Sequence, residues 1–143
     1  QASGYFQNSF NCSQSVFTVF GTDYGLSEDT CLKVSCAFGG GMGRQQLVCG
    51  AVTGAIMALG IKYGKALHDD ESKKKQTYDK TVEFFNEFKK IHGSVNCREL
   101  LAGLDLNDPE DHKRIVESGM FDTHCRKYVE DAVGIVEKMF SAK

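Results

Sequence analysis

The sequence predicts an all-α fold, an irregular bundle of about five to seven helices forming a single domain over residues 1–143. Three observations carry this. One proline in 143 residues leaves long helical runs uninterrupted. Apolar residues recur at spacings of three and four, with few β-branched runs. Helix-capping residues stand in front of these runs and glycines behind them. A chain of this length suits one hydrophobic core, and it contains neither an internal repeat nor a low-complexity linker.

The elements follow in order. Ser3 to Gln7 is expected to form a short opening turn. Asn11 caps a helix that carries Val16, Val19 and Phe20 and ends at Gly21. Ser27 caps a second, with Glu28 and Asp29 complementing its dipole. That helix runs towards Phe38, where the glycines at 39, 40, 41 and 43 break it. The next is expected from about Gln45 to Tyr63. In it Gly50, Gly54 and Ala58 recur every four residues, a stripe that lets another helix approach closely. After Gly64 the charged stretch "HDDESKKK" leads into a strongly amphipathic helix. Its apolar face is expected to hold Tyr78, Val82, Phe85, Phe88 and Ile91, with Gly93 at its end. Asn96 caps a short helix with Leu100 and Leu101, and Asp108 followed by Pro109 opens one that stops at Gly119. Asp122 opens the last helix, carrying Tyr128, Val129, Val133, Val136 and Met139.

Hydrophobic residues make up 41% and charged residues 25%, with a net charge of −2. Lys74, Lys80, Glu83 and Glu87 typify a mixed-sign surface, which excludes the clustered basic face of a nucleic-acid binder. The longest apolar stretch, Leu47 to Ile61, is too short to span a bilayer. No secretory signal is visible, although a start at Gln1 leaves room for a removed leader or tag.

Six cysteines in a chain with a full-sized core point to thiol chemistry more than to reinforcement. Cys12 follows the Asn11 cap, Cys97 follows Asn96, Cys125 lies three residues after Asp122, and Cys49 follows the glycine break. Each is thus expected near a helix N-terminus, where free amides and the dipole favour a thiolate. Four such positions suggest helix ends converging on one anionic site, holding zinc or an iron–sulfur cluster. Gly40 and Gly41 would bring backbone N–H groups up to the sulfurs. Cys31 and Cys36, five apart on one helix, read as small buried hydrophobes. Two disulfides would account for four cysteines equally, and spacing does not assign connectivity.

Other constellations are weaker. "GGGMG" lacks the preceding strand of a dinucleotide fold and the Lys-Ser/Thr of a P-loop. No C-x-x-C or C-x-x-C-H motif exists. His124 reads as a surface side chain, and His68, His92 and His112 are expected to face water. Arg44 either balances an anionic site or is solvated. Glu99, Glu110 and Asp111 serve as first-turn acids, not as a catalytic pair.

The segments "FNCSQSVF", "FGGGMGRQQLVCGAVTGAIMALG", "NCRELLAGLD" and "CRKYVEDAV" together resemble the C_GCAxxG_C_C family of redox-active proteins over nearly the whole chain. The motif is Cys49-Gly50-Ala51-Val52-Thr53-Gly54, and the resemblance assigns the four hallmark cysteines to Cys12, Cys49, Cys97 and Cys125. A similar domain accompanies haem in split-Soret cytochromes, where it resembles an iron–sulfur-binding unit; this chain lacks the haem motif. The expected function is electron transfer or redox sensing through an iron–sulfur cluster on those four cysteines. A metal-free thiol/disulfide oxidoreductase and a structural zinc module are the alternatives. The expected partners are a protein electron donor or acceptor and, at the site, a second copy in a homodimer; the expected setting is cytoplasmic and reducing.

Overall fold

The computed structural model describes residues 2–141, and over them the protein is all-helical. The helices are α1 (Ala2–Gln7), α2 (Cys12–Asp23), α3 (Glu28–Cys36), α4 (Gly39–Met42), α5 (Gly50–Tyr63), α6 (Glu71–His92), α7 (Cys97–Leu100), α8 (Pro109–Glu117) and α9 (Arg126–Ser141). A π-helical turn, Phe121–Cys125, leads directly into α9. The number exceeds the expected five to seven because α4 and α7 are single turns of four residues each.

The expected caps form at Asn11, Ser27 and Asp108, whose side chains accept from the N–H groups of Gln14, Thr30 and Asp111. Asn96 does not cap: its amide donates to the Glu99 carboxylate instead. Nor does Asp122, which lies inside the π-helical turn and pairs with Arg126 at 2.7 Å. The third long helix starts at Gly50, not near Gln45, because the chain from Arg44 to Cys49 is drawn off into loop contacts.

α5 is the central element. Gly50, Ala51, Val52, Thr53, Gly54, Ala55, Ala58 and Leu59 are all buried, and α2, α6 and α9 pack around it. The small-residue stripe works as expected against α2: a Cβ at Gly54 would stand 2.8 Å from the Ser13 carbonyl, and one at Gly50 would stand 3.0 Å from the Ser13 nitrogen. The Cβ atoms of Cys12 and Val16 also pack against these glycines, at 3.2 and 3.1 Å from where a Cβ would stand.

α6 turns inward only part of the expected face: Phe88 is buried and Phe85 half-buried against the core, as expected. Phe84 and Phe88 are fully buried and stack at 6.0 Å, whereas Tyr78, Val82 and Ile91 are exposed. α6 has apolar residues on two sides, and packing against both α5 and α9 selects the 84/88/92 side. His92 is carried inward on that stripe; its ring meets Asp131 at 2.9 Å and stands edge-on to Tyr128, so it does not face water. His68 and His124 are exposed as expected.

The apolar residues form two clusters. The larger gathers around Val52, Ala55, Leu59, Phe84, Phe88 and Val129. The smaller holds Cys97, Leu101, Leu106, Ile115, Met120 and Cys125.

Replacing Gly54 by Ala is expected to destabilise the fold by about 1–3 kcal/mol, because the clash is with backbone that cannot rotate away. Gly60→Ala, where a Cβ meets nothing within 4 Å, is expected to leave stability unchanged or raised. Urea midpoints for the two variants check this; equal effects would contradict the close approach.

Candidate functional site

Cys12, Cys49, Cys97 and Cys125, far apart in sequence, line one cavity of 370 Å³ with Gly40 and Gly41 in its wall. It lies at the seam between the two cores. Cys49 belongs to the larger cluster, Cys97 and Cys125 to the smaller, and Cys12 packs against both.

A different local device positions each thiol. Cys12 is the first residue of α2, fixed by a reciprocal cap: Asn11 Oδ1 accepts from the Gln14 N–H at 2.9 Å, and Gln14 Oε1 accepts from the Asn11 N–H at 3.0 Å. Cys49 and Cys97 are set by backbone pairing. Val48 and Asn96 form an antiparallel bridge; the Cys49 N–H donates to the Val95 carbonyl at 2.7 Å and the Cys97 N–H to the Leu47 carbonyl at 2.6 Å. Side chains alternate along paired strands, so Cys49 and Cys97, each one step from the bridge, project to the same side. Cys125 ends the π-helical turn, and the extra residue per turn there rotates it relative to the α9 face that follows.

The glycine segment departs from the expected simple break. Gly40, Gly41, Met42, Gly43 and Arg44 all have φ between 60° and 70°, making a left-handed turn in which Met42 and Arg44 carry side chains. Such a residue costs about 1–2 kcal/mol where it is not glycine. A Cβ at Gly41 would stand 2.6 Å from the Leu47 nitrogen, so this position requires glycine on two counts.

The residue that holds this turn in place is Gln46, which is buried. Its Nε2 donates to the Leu104 carbonyl at 2.8 Å, and its Oε1 accepts from the Leu106 N–H at 2.8 Å and from Arg98 at 3.4 Å. These bonds tie the loop before Cys49 to the segment after Cys97. In the sequence Gln46 sits in a polar stretch that reads as surface; its partners lie 52 to 60 residues away.

The electrostatics reverse one expectation. Burial pushes the Cys49 thiol up to about 12, although the Ala51 and Val52 amides at the start of α5 pull it the other way. Burial does the same to Cys97, up to about 12, with the Cys125 charge adding to it and Arg98 opposing. Cys12 is also raised, mainly by donating its proton to Cys125, and Cys125 alone is lowered by accepting it. The helix-terminus effect is real at Cys49 but smaller than desolvation.

Two further cysteines were read as buried. Cys31 is, against Gly21. Cys36 is not: it is exposed at the end of α3 and lines the same cavity, as does Arg44. Five thiols therefore share the cavity, all unpaired. Among the described residues no group of three or more His, Cys, Asp or Glu side chains is arranged to hold one metal ion. Among them too, no helix is long and apolar enough to cross a membrane.

Comparison with known proteins places these residues in a wider set. The family described as "Putative redox-active protein (C_GCAxxG_C_C)" matches residues 10–139. A protein of Archaeoglobus fulgidus, named "Uncharacterized protein", is 26% identical over 114 residues, covering 75% of this chain and 76% of its own. No solved structure matches the fold.

Two outcomes follow from the geometry. Gln46→Ala leaves the Leu106 N–H and the Leu104 carbonyl without partners, and a loss of about 1–3 kcal/mol is expected in denaturant unfolding; a loss under about 0.5 kcal/mol would contradict the clamp. The reduced, metal-free protein is expected to lose stability in alkali. An unfolded thiol ionises at its ordinary 9.0, while folded Cys49 holds its proton to about 12. Stability is therefore full below the lower value and falls as pH rises towards the upper one, by about 1.4 kcal/mol per pH unit per thiol. Thermal midpoints across that window check the slope; a flat profile would exclude buried neutral thiols.

Proposed function

The chain belongs to the C_GCAxxG_C_C family, and from that premise we propose that it is a redox protein that binds an iron–sulfur cluster through Cys12, Cys49, Cys97 and Cys125. On this reading it works in electron transfer or redox sensing, with another protein as electron donor or acceptor. The observation that carries the proposal is the convergence of the four thiols on one cavity at the junction of two cores.

The donor set fits such a group. Sulfur and apolar side chains dominate the lining, joined by Asn11, Arg44 and Tyr128 but by no carboxylate or imidazole, and soft thiolates suit iron–sulfur chemistry more than hard-cation chemistry. A bound cluster supplies one-electron chemistry. The protein's own contributions are separate. The bridge between residues 47–49 and 95–97 orients two ligands together. The left-handed turn presents Gly40 and Gly41 backbone at the wall, where N–H groups can donate to sulfur. Phe6, Leu101, Leu106 and Phe121 exclude water. Raised thiols must release protons on ligation, so binding favours higher pH within the stable range.

A second reading rests on its own observation. The Cys12 thiol donates towards Cys125, which pushes Cys12 up and holds Cys125 below the ordinary thiol range. That pairing supports a metal-free dithiol, oxidised to a disulfide with two electrons and two protons passing to an acceptor.

Iron and acid-labile sulfide, measured on protein purified without oxygen, decide between the readings. Stoichiometric iron and sulfide are expected, abolished by Cys49→Ser and unchanged by Cys36→Ala or Cys31→Ala. Equal loss from Cys49→Ser and Cys36→Ala would overturn the ligand assignment. Iron-free protein whose thiol count falls by two on oxidation would favour the dithiol.

A further inference from the structure

We propose that Cys36 is a thiol modification site at the mouth of the cavity, taking small anionic disulfides into a mixed disulfide that closes access to the inner thiols. The inference rests on the cavity being the working site, but not on whether a cluster or a dithiol operates inside it.

Three features place the reaction there. The five thiols are graded by depth: Cys49, Cys97 and Cys125 are buried, Cys12 is half-buried, and Cys36 is exposed. A dissolved disulfide therefore meets Cys36 first. Its position is also fixed. Asn11 Nδ2 donates to the Cys36 carbonyl at 2.9 Å while Asn11 Oδ1 caps α2, so one side chain ties the last residue of α3 to the residue before Cys12. The Gly39 backbone lies tight against that same Asn11 side chain, which brings the left-handed turn to the same point.

The third feature is charge. Arg44 lines the cavity with its side chain folded over Gly40, where a Cβ would meet Arg44 Cγ at 2.9 Å. Arg98 and Arg126 each have a carboxylate partner, Asp105 at 3.6 Å and Asp122 at 2.7 Å. Arg44 has none among the described residues. Lys33, exposed and three residues before Cys36 on α3, lies on the same side of that helix. Arg44 in the wall of the same cavity, with Lys33 one turn back on α3, favours a disulfide carrying carboxylates over one carrying amines. The apolar walls at Phe6 and Leu106 and the cavity volume suit a small molecule more than a protein loop.

The step balances as an exchange. The Cys36 thiolate attacks one sulfur of R–S–S–R; that S–S bond breaks, Cys36–S–S–R forms, and RS⁻ leaves and takes up the proton that Cys36 gave to solvent. One disulfide replaces another, and no external oxidant or reductant is needed. Excess free RSH reverses it.

The test uses the full chain, reduced and kept without oxygen, with oxidised glutathione as the anionic probe and cystamine as the cationic one, read by intact mass and peptide mapping. One adduct per chain is expected, on Cys36, forming faster with oxidised glutathione. Arg44→Gln is expected to slow that probe about threefold or more while leaving cystamine unchanged or faster. Once capped, the inner thiols are expected to alkylate more slowly with N-ethylmaleimide. An adduct formed as fast in Cys36→Ser, equal slowing of both probes in Arg44→Gln, or unchanged alkylation inside would each overturn the proposal. Iron and sulfide content of Cys36→Ser reports on the cluster separately, so the two readings fail independently.

Discussion

The backbone-to-backbone contact of α2 with α5 at Gly50 and Gly54 is the constraint on which the rest depends. With no Cβ on α5, the Ser13 backbone comes to within ordinary van der Waals reach of the helix it crosses. That approach sets Cys12, the residue before Ser13, against the first turn of α5, where Cys49 stands. Any larger residue on the stripe would lift α2 away and open the cavity on the side where two thiols meet. Glycine within a helix is unfavourable by about 1 kcal/mol relative to alanine, and burial of the surrounding apolar residues offsets it.

The remaining two thiols depend on polar bonds, not on apolar packing. A two-residue stretch of paired backbone holds Cys97 beside Cys49, and buried Gln46 anchors both segments. This wall is built from groups that are costly to bury unless satisfied, next to a left-handed turn that strains Met42 and Arg44. Strain of this kind persists where the surrounding contacts over-determine it, and here they do so beside the thiols. The result is a rigid polar frame in which burial holds protons on the Cys49 and Cys97 sulfurs until something positive or oxidising compensates.

Much of this was legible in the sequence. The all-α class follows from periodicity and from caps at Asn11, Ser27 and Asp108, each of which acts locally within three residues. The role of Gly50 and Gly54 was legible too, since small residues at four-residue spacing have one common use in a helix. The inward face of α6 was legible only in part: Phe88 was expected inside, but Tyr78, Val82 and Ile91 read inward on spacing where Phe84 did not, and the neighbours α5 and α9 choose between them. Gln46 was missed, and His92 and Cys36 were misread, for a related reason. Their environments come from segments tens of residues away, to which local pattern is blind.

By itself the sequence determined the helices, their order, a small-residue stripe on α5 open to close approach by another helix, and the grouping of Cys12, Cys49, Cys97 and Cys125 as one motif. These depend on spacing and on backbone preferences that neighbouring residues set. Only the tertiary structure decided how deep each thiol lies, that burial outweighs the helix ends in holding protons on Cys49 and Cys97, and that Cys36 joins the cavity at its mouth. Depth and desolvation are properties of what surrounds a residue from every side, and a linear chain does not carry them.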